Sequence, residues 1–153
     1  MTYEIVTERA AARPIAAVHR RVKVGHVGTS WKPALDQVWA FLRERQGLRT
    51  DGHNIFVYHH PARRGEPMDV DFGVEVVGAF EGAGEVVFTH TPAGQVASTL
   101  HVGPYDRLAD AHQAIDAWRS AHGRAFGAAS WEIYGDWSDD PAALQVQVVY
   151  LLA

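Results

Sequence analysis

The chain has 153 residues, of which 47% are hydrophobic and 21% are charged, and its formal net charge is −4. This length and composition indicate one globular domain with a buried core, and the net charge gives no global attraction to nucleic acid or to anionic membranes. The sequence contains no cysteine, which excludes disulfides, thiol catalysis and cysteine–zinc sites and is compatible with a reducing cytoplasm.

The N-terminal stretch MTYEIVTERAAARP lacks the long apolar segment of a signal peptide. Further along the chain, no segment is apolar for long enough to cross a bilayer. We therefore expect a cytoplasmic protein that does not bind to membranes.

The first half of the sequence predicts a strand, a helix and two more strands. RPIAAVHRRV is the first strand, and a helix follows within WKPALDQVWAFLRERQG, with Ser30 as a candidate cap and Gly47 as its end. The apolar face of this helix is formed by residues at helical spacing, namely Leu35, Val38, Trp39 and Leu42. HNIFVYHH and DVDFGVEVV, separated by the loop ARRGEPM, are the two remaining strands.

The second half predicts the same order of elements. GQVASTLHV is a strand, and the helix in GPYDRLADAHQAIDAWRSAHG begins after Gly103 and Pro104 and ends at Gly123. The apolar face of this helix is formed by Leu108, Ala111, Ile115 and Trp118. SWEIYGDW and QVQVVYLL, joined by the turn SDDPAAL, are the last two strands.

The two halves align at a constant interval. The same number of residues separates three pairs of equivalent positions, which are Gly47 and Gly123, Ile55 and Trp131, and Tyr58 and Tyr134. We therefore predict an α+β fold in one domain, residues 1–153, built from two β-α-β-β units in pseudo-two-fold tandem over approximately residues 1–80 and 84–153. In this prediction the strands form an antiparallel sheet with both helices on one face and a ligand groove on the other.

A carboxylate interrupts the aromatic strand SWEIYGDW. Because side chains alternate along a strand, Trp131 is predicted to face the helices, and Glu132 and Tyr134 are predicted to face the groove. Phe56 and Tyr58 are their counterparts in the first half, so one half offers a ring where the other offers a negative charge. A partly desolvated carboxylate among rings favours a lipophilic cation as its ligand. The alternative is that Glu132 faces solvent on the open side of the sheet.

Three stretches, HVGPYDRLADAHQAIDAW, WEIYGDWSDDP and the terminal VVYLL, resemble the GyrI-like small-molecule-binding domain. This domain is the ligand-sensing module of BmrR-type multidrug regulators and also occurs free-standing. The resemblance extends over nearly the whole chain, and its most specific feature is the combination of H-x-G-P-Y with E-x-Y…D-P. It implies two β-α-β-β units and a site between the halves for lipophilic, often cationic, aromatic compounds.

The resemblance also implies roles for individual residues. The pocket glutamate of the family lies in the strand that corresponds to WEIY, so this role falls on Glu132. The tyrosine of G-P-Y corresponds to Tyr105, and the tyrosine of the last strand corresponds to Tyr150. Many relatives have an acidic residue two positions before that last tyrosine, where this chain has Val148, which argues against selectivity for dications.

The predicted ligand site therefore consists of Glu132 and the surrounding rings, which are Tyr134, Phe56, Tyr58, Tyr105 and Tyr150. Two tryptophans are further candidates. Trp31, at the start of the first helix, is placed to line the mouth of the groove. Trp137, beside the SDDP turn, is either a lid residue or a surface aromatic.

We expect a domain that binds aromatic or cationic small molecules for sensing or sequestration, without a cofactor. A second hypothesis, also implied by the resemblance, is a hydrolase that opens the cyclopropane rings of DNA-alkylating natural products. In that reaction Glu132 would activate a water, and a tyrosine such as Tyr105 would stabilise the developing phenolate. A third hypothesis, an interaction with DNA gyrase, depends on fold analogy alone.

The remaining motifs indicate neither a metal site nor direct binding to nucleic acid. Nine histidines are present without H-E-x-x-H or comparable ligand spacing. His101, within H-x-G-P-Y, is predicted in the first place to form structural hydrogen bonds near the entry of the second helix, and in the second place to line the groove. The basic loop ARRGE is too short for a nucleic-acid patch, and no segment is left for a helix-turn-helix. No feature of the sequence identifies a protein partner.

Overall fold

The computed structural model describes residues 2–153, and in this part of the chain it shows an α+β fold with eight strands and two α-helices. The elements are β1 Val6–Ala10, β2 Pro14–Val22, α1 Val27–Arg43, β3 Asn54–His59, β4 Met68–Glu75, β5 Val86–His90, β6 Gly94–Val102, α2 Leu108–Ala121, β7 Phe126–Tyr134 and β8 Gln145–Leu152. Neither helix of this described part has the length and apolar character needed to cross a membrane.

The chain divides into two compact units. The α1 unit is Ala12–Thr91, and the α2 unit is Pro92–Ala153 together with the described residues up to Ala11. Each unit contains one predicted β-α-β-β sequence, β2-α1-β3-β4 in the first and β6-α2-β7-β8 in the second, so the predicted order of elements is confirmed. The boundaries differ from residues 1–80 and 84–153, because β1 pairs with β6 and β5 pairs with β2.

In the α1 unit, the antiparallel strands follow the order β3-β4-β2-β5, and α1 packs on one face of them. The buried residues of α1 are Ala34, Leu35, Val38, Phe41 and Leu42. Trp39 donates from Nε1 to Oδ1 of Asn54 at 3.0 Å, so the face of β3 that carries Asn54 is the α1 side. The helix begins at Val27, earlier than predicted, and Ser30 lies inside it, where its hydroxyl donates to the carbonyl of His26 instead of capping the helix.

In the α2 unit, the antiparallel strands follow the order β1-β6-β8-β7, and α2 packs on one face of them. The core of this unit joins Ala111 and Ile115 of α2 to alternate residues of β8, including Val146 and Val148. Tyr150 also packs against this core, so these alternate residues of β8 mark the α2 side of the sheet.

The structure corrects the predicted orientation of β7. Glu132 is paired with Val148 and lies on the face covered by α2, together with Tyr134, whereas Trp131 lies on the opposite face. The same reversal holds in the α1 unit, where Phe56 and Tyr58 lie on the α1 side. The prediction assumed that the bulky apolar residues mark the helix side. It fails because both faces of these strands are shielded, as the 3% exposure of Trp131 shows, and burial then does not distinguish them.

Candidate functional site

Glu132 lies in β7 beneath α2, and it is only 5% exposed. Its two carboxylate oxygens have different partners. The Tyr134 hydroxyl donates to Oε1 at 2.7 Å, and Nε2 of His112 donates to Oε2 at 2.7 Å. A buried carboxylate is unfavourable unless it is hydrogen-bonded, and bonds to an ionised acceptor are among the strong ones. These two bonds explain how the strand tolerates a charge at this position.

His112 connects α2 to two strands of the sheet. Its Nε2 bonds to Glu132 of β7, and its Nδ1 lies 2.7 Å from the hydroxyl of Tyr150 on β8. With Glu132 ionised, Nε2 carries the proton that is donated to Oε2. The same heavy-atom positions then accommodate a neutral ring that accepts from Tyr150 and an imidazolium that donates to it.

Tyr150 keeps its proton at neutral pH. Burial raises the pKa of Tyr150 to about 12, and the negative charge of Glu132 acts in the same direction, whereas a hydrogen bond with Ser130 lowers it. Phe126 stacks on the Tyr150 ring, with centroids 4.5 Å apart, beyond a register shift between Phe126 and Ser130 in β7. The polar groups are therefore flanked by an aromatic surface on this side.

Tyr105 forms the more exposed end of the arrangement. It begins a short 3-10 turn, Tyr105–Arg107, that leads directly into α2. Its ring meets the ring of Tyr134 edge-on, with centroids 5.5 Å apart, and partial burial raises the pKa of Tyr105. We call Tyr134, Glu132, His112 and Tyr150 the Glu132 array, with Tyr105 at its edge.

The predicted residues fall into two groups and one outlier. Glu132, Tyr134, Tyr105 and Tyr150 come together in the α2 unit, as described above. Phe56, Tyr58 and Trp31 belong to the α1 unit, where the rings of Trp31 and Phe56 lie 6.3 Å apart. Trp137 follows the end of β7, is 73% exposed and donates from Nε1 to Asp139 at 3.4 Å.

The sequence prediction missed His112. A signal for it exists, because His112 lies four residues after Leu108 and three before Ile115, within the buried stripe of α2. A histidine in such a stripe needs hydrogen-bonding partners from the sheet below it. The carboxylate and the phenol of the adjacent strands supply them.

The structural assignment of His101 is confirmed. His101 is fully buried, and its ring nitrogens lie 2.8 Å from the Tyr3 hydroxyl and 2.9 Å from the Pro104 carbonyl. It thereby ties the N-terminal segment to the entry of α2. Within residues 2–153, no group of three or more histidine, cysteine or acidic side chains is arranged to hold a metal ion.

The Glu132 array can act chemically in two ways. The carboxylate can attract a cation, and the rings of Tyr134 and Tyr105 can contact the apolar part of the same ligand. Alternatively, the paired imidazole and carboxylate can take up and return a proton. Both uses require a ligand to reach Glu132.

Comparisons with known proteins point to one family. A family model described as the GyrI-like small molecule binding domain matches residues 1–148. The crystal structure of the EcmrR C-terminal domain has a TM-score of 0.81 at 21% identity, covering 100% of this chain and 99% of that one. A longer EcmrR chain, of which 57% is covered, is part of a DNA complex.

Two further structures share the fold. SAV2435 bound to tetraphenylphosphonium has a TM-score of 0.71 at 9% identity, with 100% and 94% of the two chains covered. A hydrolase encoded by lin2189 from Listeria innocua has a TM-score of 0.66 at 9% identity, with 98% and 92% covered. The chain matches no curated protein sequence significantly.

Proposed function

The chain belongs to the GyrI-like small-molecule-binding domain family, and we propose that it binds lipophilic aromatic, often cationic, small molecules at the Glu132 array. The proposal is carried by one observation, a carboxylate that is 5% exposed and bordered by aromatic rings. We further propose that this binding serves sensing or sequestration in the cytoplasm, without direct contact to nucleic acid.

The physical basis is the fit between a shielded charge and an aromatic cation. Attraction between opposite charges grows as the effective dielectric falls, so a buried carboxylate attracts a cation more strongly than an exposed one. Each ring beneath the cation adds about 0.5–2 kcal/mol. SAV2435, which shares the fold, is bound to an aromatic cation, and this supports the ligand class.

We also propose that the aromatic group of the α1 unit, Phe56, Tyr58 and Trp31, contacts aromatic ligands, because these residues occupy the helix-facing side of β3 and the start of α1. Their rings would contribute dispersion contacts without charge. Trp137 is left outside the proposed site, because its side chain is mostly exposed and its nearest described polar partner is Asp139.

The test compares tetraphenylphosphonium with neutral triphenylphosphine oxide by isothermal titration calorimetry. Glu132→Gln preserves the shape of the side chain and removes its charge. We expect this substitution to weaken the affinity for the cation by about tenfold or more, equivalent to about 1.4 kcal/mol. The affinity for the neutral compound should change by less than about twofold. Glu85→Gln, at an exposed carboxylate paired with Arg20, is the matched control. Equal losses for both compounds in Glu132→Gln would contradict the proposal.

Hydrolysis is the second candidate function, and the His112–Glu132 pair is the observation that favours it. In the opening of a cyclopropane fused to a cyclohexadienone, the water oxygen bonds to a cyclopropane carbon and the C–C bond to the dienone ring breaks. Its electron pair moves into that ring, which becomes aromatic, and the carbonyl oxygen becomes a phenolate. Glu132 would take the proton from the water and return it to the phenolate, which Tyr105 would stabilise by a hydrogen bond. Ring-opened product at substoichiometric protein, lost in Glu132→Gln, is the expected result. The absence of turnover across several such compounds would leave binding as the function.

A further inference from the structure

A side chain from α2 already bonds to the carboxylate to which the proposed function assigns the cationic ligand. Nε2 of His112 lies 2.7 Å from Oε2 of Glu132, and Tyr134 engages the other oxygen of the same carboxylate. His112 is attached to α2, whereas Tyr134 lies on the same strand as Glu132. The histidine therefore contributes a donor from outside the strand that carries the carboxylate.

We propose that His112 is the specificity-determining residue of the site, an internal donor that a cationic ligand must displace from Glu132. Neutral aromatic ligands that only stack on the rings leave the His112–Glu132 bond intact. The strength of that bond sets how much a cation gains over a neutral ligand of similar shape. This inference rests on the proposed function of the Glu132 array.

Two variants separate the two ring nitrogens. His112→Asn can replace Nδ1 towards Tyr150 but is too short to reach Glu132. His112→Gln can replace Nε2 and still supplies Glu132 with a donor. Both are compared with the unaltered protein and with Glu132→Gln, using tetraphenylphosphonium and triphenylphosphine oxide.

We expect His112→Asn to bind tetraphenylphosphonium about tenfold more tightly than the unaltered protein does, the order expected for one hydrogen bond to a charged group. The affinity for the neutral compound should change by less than about twofold. His112→Gln should bind the cation within about twofold of the unaltered protein, because its amide still donates to Glu132. A purely structural role for His112 predicts no selective gain for the cation.

The outcomes distinguish this inference from the function on which it rests. If the unaltered protein does not bind the cation, or if Glu132→Gln weakens both compounds equally, the proposed function and the inference both fail. If Glu132→Gln discriminates between the compounds while His112→Asn gives no gain for the cation, the competition alone is refuted. If His112→Asn does not fold, His112→Leu, which also removes the donor to Glu132, takes its place, and the absence of a selective gain for the cation in that variant refutes the competition as well.

Discussion

The same strand position is used differently in the two units. In the α1 unit, position 56 carries a phenylalanine, and the rings of Trp31 and Phe72 lie 6.3 Å and 5.0 Å from its centroid. At the equivalent position in the α2 unit, Glu132 is hydrogen-bonded by His112 and Tyr134. A helix residue thus covers the strand in both units, by ring packing in one and by a hydrogen bond to a charge in the other.

The difference shows how one copy of a duplicated unit can stabilise the fold while the other copy offers a charge to a ligand. Ring packing needs no partner beyond the rings themselves and stabilises the fold by removing apolar surface from water. A buried charge contributes little net stability, because its desolvation offsets its hydrogen bonds. It can, however, attract a ligand of opposite charge. We therefore expect substitutions in the α1 unit to affect mainly folding and those in the α2 unit to affect mainly binding.

The largest effect on stability is expected for the ring packing in the α1 unit. Phe56→Ala removes a ring that is 6% exposed and should lower the free energy of unfolding by about 3–5 kcal/mol. Urea denaturation followed by circular dichroism measures the change. Val87→Ala, at an exposed position on β5, is the control and should stay within about 0.5 kcal/mol. A loss below about 1 kcal/mol for Phe56→Ala would show that this position is not a packing site.

The order of elements was predictable from sequence because helical periodicity, glycine stops and alternating strands are local signals. The strands β1 and β5 were not predicted. All residues of β1 except Ala10 are exposed, so this strand lacks the apolar alternation that marks a half-buried strand. The pairing of β1 with β6 is a long-range contact, which no local pattern encodes.

The site was predictable in part. The family resemblance pointed to Glu132, Tyr105 and Tyr150, which lie together in the α2 unit, and alternation along β7 correctly placed Tyr134 on the same face as Glu132. The choice of face was wrong because it assumed that the bulky apolar residues face the helices, whereas Trp131 is buried on the opposite face. His112 was missed because its partners, Glu132 and Tyr150, are distant in the sequence, and only the fold brings α2 over β7 and β8.

The second prediction concerns the polar side of the comparison. His112→Leu removes a donor from a buried carboxylate and should lower the free energy of unfolding by about 1–3 kcal/mol. The control His26→Leu changes an exposed side chain before α1 and should be nearly neutral. Adding tetraphenylphosphonium should recover more stability in His112→Leu than in the unaltered protein, because the positive charge of the ligand compensates the carboxylate and has no histidine to displace. Equal recovery would argue against contact between the cation and Glu132.

A smaller effect on stability is expected for Tyr150, the member of the Glu132 array that stacks on Phe126. Tyr150→Phe keeps the ring stacked on Phe126 and removes the hydroxyl that lies 2.7 Å from Nδ1 of His112. The free energy of unfolding should fall by about 1 kcal/mol, less than for His112→Leu, because the charged acceptor Glu132 keeps its donor. Urea denaturation of Tyr150→Phe and His112→Leu shows which of the two variants loses more free energy of unfolding. The reverse order would mean that His112 is held mainly through Tyr150.

The smallest effect belongs to a second histidine–carboxylate network, which lies in the α1 unit and is more exposed. Asp71 accepts from His19 at 2.9 Å and from His59 at 2.8 Å. Burial raises the pKa of Asp71, but the hydrogen bonds from His59 and His19 outweigh it and hold the pKa below its usual value. The hydrogen bond to Asp71 raises the pKa of His59 against the opposing effect of burial.

The signs of these two shifts define a pH window. A lowered carboxylate pKa contributes stability above the usual aspartate value, about 3.9, and this stability is lost as the pH falls through the lowered pKa. A raised histidine pKa contributes stability below the usual histidine value, about 6.5, and this is lost as the pH rises through the raised pKa. Both contributions are therefore present together between about pH 4 and pH 6.5.

Asp71→Asn should consequently destabilise the protein most near pH 5 and less at pH 8. The difference should be at most about 1 kcal/mol and should shrink in high salt, because the side chains of His19 and His59 are about half exposed. Asp36→Asn, which breaks an exposed pair with Lys32, is the control and should show no such pH dependence between pH 5 and pH 8. If Asp71→Asn destabilised the protein as strongly as His112→Leu, the two histidine–carboxylate networks would not differ in stability through their burial. The low exposure of Glu132 would then no longer distinguish it as the carboxylate that binds a cation.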